Sequence, residues 1–136
     1  MALASWQGFF NLKTMKQAME KHAFYRATRS LRCMPFKKRF FEEVKVKGMN
    51  KYELCRREDW ETLVFAPFGE ERAEMHFEWM LRMGILRREV DGQGLTDRFR
   101  LTPFGAKVVE QWEMEIPRAG IRERISENFY RHLRKN

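Results

Sequence analysis

Apolar positions recur along this chain with two different spacings, and the change from one to the other divides it. From residues 11 to 32, Met15, Met19, Ala23, Ala27 and Leu31 return every fourth position, the stripe of an amphipathic helix. Lys13, Lys16, Lys21, Arg26 and Arg29 fall mainly off that stripe, and Pro35 interrupts it. A second helix is predicted over FKKRFFEEVKV (36–46), where Phe36, Phe40 and Val44 form one edge and Phe41 widens the apolar face. It ends before Gly48. Residues 50–69 carry Tyr52, Leu54, Trp60, Leu63, Val64 and Phe65 in one or two short helices, the first capped by Asn50, with the break between them left open. Pro67 and Gly69 mark a turn. Ala73, Phe77, Met80 and Leu81 then give the cleanest helical signature, closed by Gly84.

After Gly84 the period falls to two. ILRREV reads as a strand, DGQG as a turn and LTDRFRLT as the returning strand, with Phe99 and Leu101 on one side and Arg98 and Arg100 on the other. Thr102 can cap a helix that has Pro103 at its first position and runs through FGAKVVEQWEME, burying Val108, Val109 and Trp112. Pro117 ends it. A last helix over 120–134 places Ile121, Ile125, Phe129 and Leu133 on one stripe. The predicted class is mainly α with a small β hairpin.

Composition narrows the picture. The 136 residues suit one compact domain, and 43% apolar with 14% aromatic residues is enough for a true core. The opening MALASWQGFFNLK has no basic n-region before a long apolar run, so no secretory signal is expected and cytoplasmic residence is the default. Cys33 and Cys55 lack CxxC spacing and read as free thiols. The net charge of +8 is local: residues 13–47 hold eleven Lys/Arg against three Glu, whereas 48–136 hold sixteen of each sign. A polyanion such as nucleic acid fits the first of these stretches, and so does plain solvation.

No catalytic chemistry is legible. His22, His76 and His132 fall on three different predicted helices, and neither a zinc-site Cys/His cluster nor a phosphate-cradling glycine loop occurs. The expectation is a protein that is not an enzyme and takes no metal or cofactor. A basic amphipathic helix over 13–31 offers only methionine and alanine to a bilayer, so no membrane role is expected.

Three helices followed by a two-stranded hairpin is the order of a winged helix-turn-helix domain. Residues 80–110, MLRMGILRREVDGQGLTDRFRLTPFGAKVVE, resemble the wing segment of MarR-type and PadR-type proteins, down to the step Leu101, Thr102, Pro103, Phe104, Gly105. The resemblance implies a winged-helix module at 35–104, a basic helical extension at 1–34, and C-terminal helices at 105–136 as a candidate dimerisation region. It also implies a homodimer, and a transcriptional regulator that binds double-stranded DNA. The residues expected at DNA are Lys37, Lys38, Arg39, Arg72, Arg87, Arg88, Arg98 and Arg100. MarR-type proteins often take aromatic ligands between the dimer helices and the module, where Trp6, Phe9 and Phe10 could line a site.

The third helix departs from that pattern. From Glu58 to Trp79 seven acids meet one base, and Glu70, Glu71, Glu74 and Glu78 stand where a DNA reader carries small polar or basic residues. Two accounts are open. Glu70, Glu71 and Glu74 can serve the helix dipole while Glu78 pairs with Arg82, leaving the wing and the N-terminal third to grip phosphates. Alternatively, the module is an adaptor that binds a protein partner and no DNA.

Overall fold

The computed structural model describes the backbone of residues 2–135 and the side chains of residues 11–133. In chain order it contains α1 (Ala2–Cys33), α2 (Lys38–Val46), α3 (Lys51–Arg56), a 3-10 turn (Trp60–Thr62) and α4 (Glu70–Arg82), then β1 (Leu86–Asp91), β2 (Gly94–Leu101), α5 (Pro103–Glu110) and α6 (Ile121–Lys135). Mainly helical, with one antiparallel hairpin and extra helices at both ends, it is the architecture expected from the sequence. Met49 lies between α2 and α3 and exchanges backbone hydrogen bonds with Phe99, 3.1 and 2.9 Å, as a one-residue third strand beside β2. The run α2, Met49, α3, α4, β1, β2 is winged-helix-type. Among the described residues no helix is long and apolar enough to cross a membrane.

The core is aromatic and centred on Phe36. Its ring lies 4.5 Å from Phe40, 5.7 Å from Phe68 and 6.2 Å from Phe77, and Phe77 in turn lies 5.0 Å from Phe99. Offset and edge-on contacts at these spacings suit the ring quadrupoles. Phe40 and Val44 reach this cluster from α2, Phe36 from before it, since α2 starts at Lys38 and not at the expected Phe36, which bridges to Val64. Phe77 and Met80 of α4 join the same cluster. Ala27 and Leu31 of α1 and Val108 and Val109 of α5 join the same buried cluster.

Several local expectations are met by specific bonds. The Asn50 side chain accepts from the Glu53 N–H at 2.8 Å, and Thr102 Oγ1 accepts from the Gly105 N–H at 2.9 Å. Gly84 has φ of +78°, the left-handed conformation that ends α4. Thr102 also donates to the Gly84 carbonyl and its N–H bonds Ile85 O at 3.0 Å, so the start of α5 is pinned to the α4–β1 corner.

Two further expectations need correction. The helix after the hairpin ends at Glu110 rather than running on to 115, and Trp112 is only half-buried. Lys38 Nζ donates to the Trp112 carbonyl at 2.5 Å and the Lys38 N–H donates to Glu115 Oε2 at 2.7 Å, so α2 draws this segment away from a helical path. In α1, only the Ala27–Leu31 end of the stripe is buried; every side chain from 11 to 23, including Met15, Met19 and Ala23, is exposed.

Gly105 has a steric duty: a Cβ there would stand 2.3 Å from the Ile85 carbonyl oxygen, a backbone atom that cannot yield cheaply. Gly105→Ala is therefore expected to destabilise the fold by about 1–3 kcal/mol, measured by urea denaturation. Gly92→Ala, whose Cβ would meet no atom within 4 Å, should shift stability by less than about 0.5 kcal/mol.

Candidate functional site

The outer face of the hairpin carries Arg87 and Glu89 from β1 and Arg98 and Arg100 from β2, since Arg87 pairs with Arg100 across the ladder. Between the Arg88–Phe99 and Val90–Leu95 pairs the register breaks, and residues 96–98 stand opposite Glu89 alone. Thr96 Oγ1 fills the gap, donating to Glu89 O at 2.9 Å and accepting from the Arg98 N–H at 3.2 Å. Such a bulge bends the strand and re-aims its side chains. Arg98 turns towards the α2–α3 connection, pairs with Glu53 through both terminal nitrogens and donates to Gly48 O at 2.5 Å. Arg100 donates to the Lys45 and Val46 carbonyls at 3.1 and 3.2 Å. Glu89 sits between the two, 3.7 Å from Arg98 and 3.6 Å from Arg100. The two arginines share a face, as their spacing requires, but that face is half-buried against α2 and α3 rather than turned to solvent.

Three of the six other cations expected at DNA are also engaged. Lys37 Nζ donates to Glu61 O at 2.6 Å and lies over the Phe65 ring. Lys38 holds the 112–115 segment as above. Arg88 stacks 5.0 Å from the Phe99 ring centroid on the inner face of the hairpin. Arg39, Arg72 and Arg87 are exposed, on α2, α4 and β1, and Arg87 shares the outer hairpin face with Arg98 and Arg100. On α4 the outward face carries Glu70, Glu71 and Glu74, with Lys51 bonded to Glu74 at 3.1 Å. The expected Glu78–Arg82 pair is not formed among the described residues; both side chains instead line a cavity between α4 and α6.

That cavity, of about 450 Å³, went unrecognised in the sequence. Five arginines line it: Arg72 and Arg82 from α4, Arg118 from the loop before α6, and Arg124 and Arg131 from α6, with Glu78 as the one carboxylate. Phe68, Met75 and Trp79 supply apolar wall. His76 also faces it, edge-on to Phe36 and Phe68 at 5.5 and 5.4 Å. Burial, with Arg131 and Arg72 adding to it, lowers the His76 pKa from 6.5 to about 4, so the imidazole is neutral at pH 7. The sequence signal was present in the 124, 128, 131 spacing of α6, one helical face, but the apolar stripe on the other face masked it. Trp6, Phe9 and Phe10, expected near a ligand, have side chains outside the described residues. Among the described residues no group of three His, Cys, Asp or Glu is placed to hold a metal ion.

The inner edge of α6 is fixed by a buried polar chain. Ser30 Oγ of α1 donates to Glu127 Oε1 at 2.6 Å, and Trp79 Nε1 of α4 donates to Ser30 Oγ at 3.4 Å. Arg29 Nε stands 3.8 Å from the second Glu127 oxygen. With its polar face held inward, α6 turns Ile121, Ile125, Phe129 and Leu133 outward, 59–68% exposed. The expected stripe is real, and it does not pack on its own domain.

A protein-family model described as Npun_F0494-like matches residues 17–131. No curated protein and no solved structure matches the chain.

Two outcomes follow from these contacts. Arg98→Ala, which strands Glu53 and a backbone carbonyl, should cost about 1–2 kcal/mol in thermal or urea unfolding, with no change in affinity for duplex DNA. His76 gives the second. Its folded-state pKa is below the ordinary 6.5, so the unfolded chain takes up the proton first. The contribution of neutral His76 is complete above about pH 6.5 and is lost as pH falls towards 4, about 1–2 kcal/mol by pH 5. In His76→Phe, which keeps the ring contacts, the fall in Tm between pH 7 and pH 5 should be smaller than in the unsubstituted protein.

Proposed function

We propose that this chain, which belongs to the Npun_F0494-like family, is a non-catalytic winged-helix-type module that works through protein contacts, first of all with a second copy of itself. The observation that carries this reading is the inverted polarity of α6. Four large apolar side chains stand on its solvent side, while Arg124, Glu127 and Arg131 face the domain. An apolar stripe of that length is unfavourable in water and is covered in most folded proteins. Leu12, Met15 and Met19 on α1 are equally bare, at 69%, 60% and 70% exposure. A two-fold dimer would bring like stripes together and cover both helices at once. A kinship closer to the MarR and PadR type, in which outer helices of two subunits pack together, belongs to the same reading and is supported by the flanking helices and the Leu101–Gly105 step.

Binding of double-stranded DNA, with a regulatory outcome in the cytoplasm, is the second reading. It is favoured by the exposed lysines of α1, Lys13, Lys16 and Lys21, together with the +8 net charge. Against it stand the acidic outward face of α4, which phosphates would repel, and the internal engagement of Arg98 and Arg100. Contacts from α1 lysines alone would position a duplex without reading its sequence.

Light scattering after size exclusion should give a dimer mass, and the double variant Ile125→Glu with Phe129→Glu should run as a folded monomer. A monomer before substitution would sink the self-association reading. In parallel, fluorescence anisotropy with a mixed pool of duplexes should show only weak binding that fades with salt and enriches no site. Tight binding that enriches a palindrome would reinstate the DNA reading.

A further inference from the structure

We infer that the cavity between α4 and α6 is a binding site for a small phosphorylated ligand, one that carries at least two negative charges and a compact apolar or aromatic part. Among the described residues five arginines line a space of about 450 Å³ with a single carboxylate, Glu78, on its wall. Surface arginines ordinarily scatter among acids, and the chain does this elsewhere: Arg57 is held by Glu43 and Asp59, and Arg98 by Glu53 and Glu89. Here the usual partners are lacking. Among the described residues no carboxylate lies within ion-pair distance of Arg72, Arg82, Arg118, Arg124 or Arg131. The Nε groups of Arg124 and Arg131 are buried without a hydrogen-bond partner.

Buried cations left in this state are costly, and the cost falls when an anion arrives. Arg131 has found only partial compensation, through Asn128 Oδ1 at 3.0 Å and the Trp79 ring at 5.8 Å. Arg118 leans on the Phe65 ring at 5.1 Å. Burial lowers the pKa of both guanidinium groups, and Arg124 adds to the effect at Arg118. Desolvation is the larger cause at both groups, and at Arg131 the nearby Glu127 offsets part of it.

The chemistry of the wall selects the ligand class. Among the described residues the lining holds arginines and no lysine, and the planar guanidinium fork matches the oxygens of a phosphate group in pairs. One carboxylate ligand would leave most of the charge uncompensated; a phosphate dianion or a diphosphate balances far more of it. Phe68, Met75 and Trp79 leave an apolar side for an organic portion, and neutral His76 can bond it without adding to the charge. The site draws on both α4 and α6, so a bound ligand would brace the module against the helix whose outer stripe is bare.

Isothermal titration of the full chain with inorganic pyrophosphate, at constant ionic strength set by chloride, tests the assignment. Saturable binding at one site per chain is expected, accompanied by a rise in Tm. Arg124→Met and Arg131→Met should each weaken binding by about tenfold or more. Arg124→Met should also leave the unliganded protein as stable as before or more so, because it removes an uncompensated buried cation. A residue with a merely structural role would instead destabilise the protein when replaced. Arg118→Ala, on a loop, reports on binding if the helix variants fail to fold. Arg87→Ala, on the hairpin, should bind as the unsubstituted chain does. Absence of saturable binding, equal affinity in the Arg124 and Arg118 variants, or a Tm rise that chloride reproduces would each overturn the assignment. The Ile125→Glu, Phe129→Glu protein should still bind pyrophosphate, which separates this result from the fate of the dimer.

Discussion

The hydrogen bond from Ser30 to Glu127 sets the face that α6 turns to the rest of the molecule. The carboxylate is buried, so it must be satisfied where it lies, and α1 offers Ser30 Oγ at 2.6 Å with Trp79 of α4 bonded behind it. A buried polar chain of this kind is costly to break, because each member left alone loses its water without replacement. It ties α1, α4 and α6 at one point. Once Glu127 is inside, helical geometry sends Arg124, Asn128 and Arg131 to the same side and Ile121, Ile125, Phe129 and Leu133 to the other.

Both surfaces that carry a functional reading descend from that orientation. The inward face brings arginines of α6 against those of α4 and makes a cationic cavity; the outward face leaves an apolar stripe in water. The same helix therefore offers a small anion and a protein partner two different sides. Neither surface coincides with the face of α4 that a DNA-reading winged helix would use, which is acidic here.

The hairpin illustrates how a correct local reading can miss function. Alternation puts Arg98 and Arg100 on one side of β2, and they are there. What alternation leaves out is the neighbour on that side. The α2–α3 connection presents the carbonyls of Lys45, Val46 and Gly48 together with Glu53, and the bulge at residues 96–98 carries Arg98 to them. Spread along sequence separations of about fifty residues, these partners leave no trace in any local window.

The elements were legible because each depends on interactions a few residues apart. The fourfold spacing of Phe40 and Val44, the Asn50 and Thr102 caps, the stop at Gly84 and the period-two hairpin are all local physics, and all stand in the structure. The sequence also determined that α6 has an apolar stripe and a charged face. It could not determine which one is buried, since the hydrophobic rule favours the stripe and only the Ser30–Glu127–Trp79 contact, made across distant parts of the chain, reverses it. The shortening of α5 by Lys38, the withdrawal of the wing arginines from solvent and the gathering of five arginines around one cavity were likewise decided by tertiary structure. In each case a charged group found its partner, or was left without one, only after the helices had packed.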